Sequence, residues 1–297
     1  MNLITKTAML ASVKISVWTA RKHDKRVSDQ VASNNEASPH SGRYNKILIA
    51  KEAQVDITKI ISKTRSMFYH NTLPWNDDGY RILAAKNYFD YMRDMGALKR
   101  KFDAAVKEFL THYPDYQEQA RESLGKLFDE NDYPPIESLE KRFNFEIRIL
   151  PVPSGDDFRV VMGEEDKKQI QADIEQRLKS AQIVAMNDIW ERVHTAVHHM
   201  RNKLSSYYID PDTKSPKNRF HETLVTNLRD LVDIMPKLNI ADDPRLDELC
   251  KELKSSLCQH DAQVLREDTN LRKQTADEAN RILDQLSGYV TFGGHNS

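Results

Sequence analysis

The 297-residue chain sets 44 Lys and Arg against 45 Asp and Glu, a net charge of −1. That balance gives no overall attraction to nucleic acid or to a membrane surface. Charged residues make up 30% of the chain and only 9 residues are glycine, which favours long, solvent-faced helices over a loop-rich enzyme.

The charge is unevenly placed, with eight basic against three acidic residues in 1–46 and seven against eleven in 242–287. No apolar run reaches the roughly 18 residues of a membrane span. The start, Met1-Asn2-Leu3-Ile4-Thr5-Lys6, lacks the pattern of a signal peptide. The expectation is a cytoplasmic protein. Cys250 and Cys258 fall eight apart on one expected helix, about 12 Å along its axis and too far for a mutual disulfide.

In chain order, Val13, Ile15 and Val17 alternate with polar residues and predict a strand over 11–20. The basic run Arg21-Lys22-His23-Asp24-Lys25-Arg26 follows, then a polar segment over 33–42 that reads as a loop. Residues 44–69 read as a helix. Thr72-Leu73-Pro74-Trp75 interrupts it, because proline disfavours helix in the residue before it. Trp75 then plugs a helix end or anchors a partner. A second helix spans 78–113 on the near-heptad series Tyr88, Met92, Met95, Phe102, Val106, Phe109 and Tyr113.

Shorter helices follow from Asp115 and from Pro134-Pro135. Phe143, Phe145, Ile147 and Ile149 alternate as a strand over 143–150, and a third strand is expected over 157–162. The longest helix runs from Gly163 to about Tyr208 with no proline inside. Its seam reads Ile183, Met186, Trp190, Val193, Val197, Met200, Leu204 and Tyr207. Such a helix, about 66 Å long, calls for comparably long partners. These are read at 220–236 and, after Asp243-Pro244, at 243–286.

The expected fold is mainly α, an elongated bundle of long antiparallel coiled-coil-like helices with a small three-stranded, mostly antiparallel sheet at one end. The expected regions are an N-terminal α+β part (1–162), a C-terminal long-helix bundle (163–287) and a flexible tail (288–297).

His194 and His198 share a helix face at i, i+4, with His199 beside them and Glu191 one turn earlier. They flank the packed seam, so solvated or interfacial histidines are read ahead of a metal site, and no metal or cofactor is assigned. No phosphate-binding glycine loop, dinucleotide fingerprint or Gly-X-Ser-X-Gly occurs, and no catalytic residue is named.

Four stretches resemble an uncharacterised phage and bacterial domain-of-unknown-function family. They are Trp18-Thr19-Ala20-Arg21-Lys22 with Asp24-Lys25, Gly42-Arg43-Tyr44-Asn45-Lys46-Ile47-Leu48, Thr72-Leu73-Pro74-Trp75 with Gly79-Tyr80-Arg81-Ile82-Leu83, and Phe220-His221-Glu222-Thr223-Leu224 with Asn227-Leu228-Arg229-Asp230-Leu231 and Leu238-Asn239-Ile240. Members of that family are helical and often encoded beside a MoxR-type AAA ATPase and a von Willebrand factor A-like protein. The resemblance implies a phage or prophage source, a host-cytoplasmic setting and work alongside an ATPase.

The first functional expectation is a non-enzymatic interaction or scaffold protein that forms a homo-oligomer or partners that ATPase. The alternative is single-stranded nucleic-acid binding in phage replication or recombination, with Trp18, Arg21, Lys22, Lys25, Arg26 and Trp75 as candidate contacts. A metal-dependent enzyme at His194 and His198 is a third, weaker reading.

Overall fold

A computed structural model of the chain describes residues 3–75, 79–154 and 164–288. The strand expected over 157–162 and the expected helix start at Gly163 lie outside the described residues. The fold is mainly helical with a small antiparallel sheet. No described helix is long and apolar enough to cross a membrane.

The chain packs as two units that interleave along the sequence. One comprises 1–12, 69–91 and 148–297, and the second comprises 13–68 and 92–147. A single boundary near 162 is therefore replaced by four crossings. Two of these fall within strands β1 (Ala8–Ser16) and β6 (Asn144–Pro151).

The sheet has four strands in the order β4-β5-β1-β6, where β4 is Leu73–Pro74 and β5 is Arg81–Ala84. Ala8 pairs with Ala84 and Leu10 with Ile82 on one side of β5, and Leu73 pairs with Ile82 on the other. Both outer strands end in proline, Pro74 and Pro151, where a missing ladder donor costs little.

The expected three-stranded sheet thus gains two strands from a stretch read as turn and helix start. The physical reason is that Ile82, Leu83 and Ala84 are all fully buried. A short, wholly apolar run has no alternation to separate strand from helix. The helix itself, α4, begins only at Tyr88 and runs to Thr111.

In the first unit, α7 (Glu164–Ser206) is the longest element. Leu178, Ala185, Ile189, Val193, Val197, Met200 and Leu204 are its buried line, stepping mostly by four. Of the expected seam Ile183 alone is exposed, at 61%, while Trp190 and Val193 are buried and Ala185 and Ile189 add to the packed face. Helix α11 (Thr269–Leu286) packs along α7, and α8 (Thr223–Leu238) lies against both α7 and α9 (Pro244–Ser256).

The long last helix expected over 243–286 is three helices, α9, α10 (Ala262–Glu267) and α11. Asp268 makes the second break, accepting from the amides of Asn270 and Leu271 as an N-cap. No glycine or proline marks either break, which is why periodicity ran across them. Among the described residues α7 therefore has no helix of comparable length beside it, and the expected bundle of long coiled-coil-like helices becomes shorter helices gathered along one long one.

In the second unit, α2 (Lys25–Asn34) and α3 (Val55–Asn71, whose last turn belongs to the first unit) are joined through the ribbon of β2 (Arg21–His23) and β3 (Asn45–Ile47). Helix α2 starts within the basic run at 21–26 and ends in the segment expected as a loop from residue 33. It forms because Asp24 caps it, accepting from the Val27 amide, and because Ser28 and Ala32 are buried one turn apart. The core here is aromatic. The Trp18 ring lies 5.8 Å from Tyr113 and 6.5 Å from Phe109, which in turn lies 5.6 Å from Phe143.

Candidate functional site

The basic run of the sequence sits on the β2–β3 ribbon and the first turn of α2. Arg21 pairs with Ile47, Lys22 with Lys46 and His23 with Asn45. Cross-strand partners share a face, so Lys22 and Lys46 point one way and Arg21 and His23 the other.

Lys46 is buried, contacting Asp132, Asp24 at 3.5 Å and the Leu127 carbonyl at 3.1 Å. Desolvation pulls its ammonium pKa down, but the two carboxylates outweigh that and leave it raised. The Val27 amide and then Lys46 hold the Asp24 carboxyl below its ordinary value against desolvation. This is a structural lock rather than a ligand site.

Arg21, Lys25, Arg26 and Arg43 are exposed and carry no ion pair among the described residues, while Lys22 lies 4.0 Å from Asp132. Lys25, Arg43, His23 and His40 line a cleft of about 660 Å³ in which Asp29 is the acid. Trp18 is not among these groups. It is 5% exposed, its ring is enclosed by Phe109 and Tyr113, and it cannot stack on a base. The exposed ring here is Tyr44, which follows Arg43. Arg43, His40 and Tyr44 were not singled out, because a polar loop separates them from the basic run and only the fold brings Arg43 and His40 against Lys25.

Trp75 lies on α7. It lines a groove of about 570 Å³ with Asp173, Gln176, Arg177, Ser180, Ala181 and Val184. It is half-buried against the first unit's core. Beside it Ile183 and Val184 are 61% and 51% exposed, an adjacent apolar pair in the uncharged stretch between Lys179 and Asp188.

A third concavity, of about 590 Å³, lies between α7 and α8. Asp188, Glu191, Arg192, His199 and Lys203 enter it from α7, and Arg219, His221 and Asn227 from the segment leading into α8 and from α8 itself. Arg192 bonds Asp188 at 2.7 Å and donates to the carbonyls of His70 and Thr72 at 3.2 and 2.8 Å. Arg81 donates to the same Thr72 carbonyl and to its hydroxyl. The two guanidiniums thus satisfy carbonyls left open at the end of α3. Burial, then Arg192, pushes the His70 imidazole pKa down, with Asp230 opposing.

The histidine cluster divides. His194 and His198 stack with centroids 6.0 Å apart, and His198 meets the Asn202 amide at 3.3 Å. Only His199 of the three reaches the cleft. Among the described residues no group of three or more His, Cys, Asp or Glu is placed to hold a metal ion. Cys250 and Cys258 are both free, and burial pushes each thiol to about 11, which makes them poor nucleophiles.

Of the stretches in the sequence resemblance, Gly42–Leu48 borders the cleft at Lys25, Thr72–Trp75 the groove at Trp75 and Phe220–Leu224 the cleft between α7 and α8. No family model matches this chain, and no curated protein or solved structure does either, so the resemblance rests on those four stretches alone.

Proposed function

We propose that this chain is a non-enzymatic interaction or scaffold protein that self-associates along the amino half of α7. The observation that carries the reading is the adjacent exposed pair Ile183 and Val184 beside the Trp75 groove. Two large aliphatic side chains on adjoining faces of α7, each about half exposed, would gain roughly half of the about 1.5–3 kcal/mol that full burial of such a side chain yields. The groove holds one acid, Asp173, and one base, Arg177, a turn apart. A surface carrying both signs suits a second copy of itself, because a two-fold pairing brings each sign to its opposite.

The MoxR-type AAA ATPase partner, the phage or prophage source and the host-cytoplasmic setting implied by the sequence resemblance belong to this same proposal. Light scattering of the purified chain tests it. The reading expects a mass above that of one chain, or a shift on adding the ATPase. A single-chain mass at all concentrations, with no shift, counts against it.

The nucleic-acid reading keeps a specific observation in its favour, the exposed Arg21, Lys25, Arg26 and Arg43 on the second unit, which carry no ion pair among the described residues. Single-stranded DNA would then bind with an affinity that falls steeply with salt. No retention on single-stranded DNA at low salt would remove it, and retention unchanged in an Arg26→Ala, Arg43→Ala variant would remove these cations as the contacts.

A further inference from the structure

We infer that the cleft between α7 and α8 is a binding site for a small organic phosphate of nucleotide size. Its volume of about 590 Å³ falls in the range of small-molecule pockets, about 300–1,000 Å³. Its floor is apolar, with Phe220, Leu224 and Leu228 buried beneath it. Its rim is cationic, and the local ion pairs explain why that charge is uncompensated.

Of the nearby acids, Asp188 is engaged by Arg192 at 2.7 Å. Glu222, beside His221, is engaged by Arg266 at 2.8 Å. The same Arg266 donates to the Phe220 carbonyl at 3.0 Å, fixing the segment that presents Arg219 and His221. Lys203 and Arg219 are left with no ion pair among the described residues, against Glu191 alone within the cleft.

His199, His221, Thr195, Thr223 and Asn227 add further donors at the rim. A single carboxylate is satisfied by one guanidinium, whereas a phosphate offers three oxygens to several donors at once. The apolar floor gives a reason for an organic body attached to it.

The experiment is calorimetric titration of the full chain with AMP, inorganic phosphate and adenosine. The inference expects saturable AMP binding at or below about 1 mM, tighter than either fragment. An Arg219→Ala, Lys203→Ala variant should weaken it tenfold or more, the scale of two charge-assisted bonds. Glu191→Gln should tighten it about two- to fivefold, the scale of one exposed charge interaction, and no folding defect produces a gain. The His199 and His221 ring resonances should move with AMP. Absence of saturable binding, equal affinity for AMP and inorganic phosphate, or indifference to both variants would overturn it. The self-association reading is untouched by either outcome, since its residues lie elsewhere on α7.

Discussion

The two packing units are held together by different chemistry. The first is an aliphatic helix cluster, with Ile189, Val193 and Val197 of α7 buried among Leu228, Val232, Ile282 and Leu286. The second is built on rings and on a buried charge, with Trp18, Phe109 and Tyr113 in contact and Lys46 enclosed by two carboxylates. Aliphatic packing is tolerant of exchange among similar side chains. A ring cluster with a buried ion is not, because each ring has one orientation and the ammonium one set of acceptors.

The sharpest way to break that contrast is at the second unit's core. Trp18→Ala should cost about 3–5 kcal/mol in denaturant unfolding, the range for removing a large buried ring. It should do so with no specific effect on nucleic-acid retention. A stable Trp18→Ala protein that loses nucleic-acid binding would restore the base-stacking role that burial removes. Lys46→Ala follows at about 3 kcal/mol, because it strands Asp132 and Asp24 in a nearly dry site.

The same lock has a pH signature. The Asp24 carboxyl is held below its ordinary 3.8, so its contribution is present above that value and lost as pH falls through the depressed one. The Lys46 ammonium is raised above 10.5, so its contribution holds below that value and is lost as pH rises past it. The lock should therefore be indifferent to pH in the neutral range.

Smaller effects belong to the first unit. Asp268→Ala removes the α11 cap and should cost about 1 kcal/mol. His70 gives the weakest signal. Its pKa is depressed below 6.5, so the unfolded chain binds that proton more readily. Stability then rises with pH across this window and is lost as pH falls from 6.5 toward the depressed value. His70→Gln should flatten the dependence of melting temperature on pH between about 5 and 7.

The same contrast explains how much of the molecule could be read from residues alone. The first unit's helices announced themselves, since Val193, Val197, Met200 and Leu204 recur at helical spacing and remain buried. What failed there was Ile183, which is exposed, and the breaks near Leu257 and Asp268, which no glycine or proline marks. In the second unit the strand 144–151 was legible by alternation, but α2 was not, because its helix depends on Asp24 and on Lys46 arriving from twenty residues away.

The candidate sites divide similarly. Arg21, Lys25, Arg26 and Trp75 were legible as exposed charge and as an interrupted helix. Arg219, His221 and Arg43 were not, because only folding sets Arg219 and His221 opposite Lys203, and Arg43 opposite Lys25.

The most direct test of the central claim is the solution mass of an Ile183→Glu, Val184→Glu variant, measured by light scattering beside the parent chain. Both residues are exposed, so the variant should melt within about 0.5 kcal/mol of the parent. The account predicts an oligomeric parent and a single-chain variant at the same concentration. A parent and variant of identical mass would contradict it.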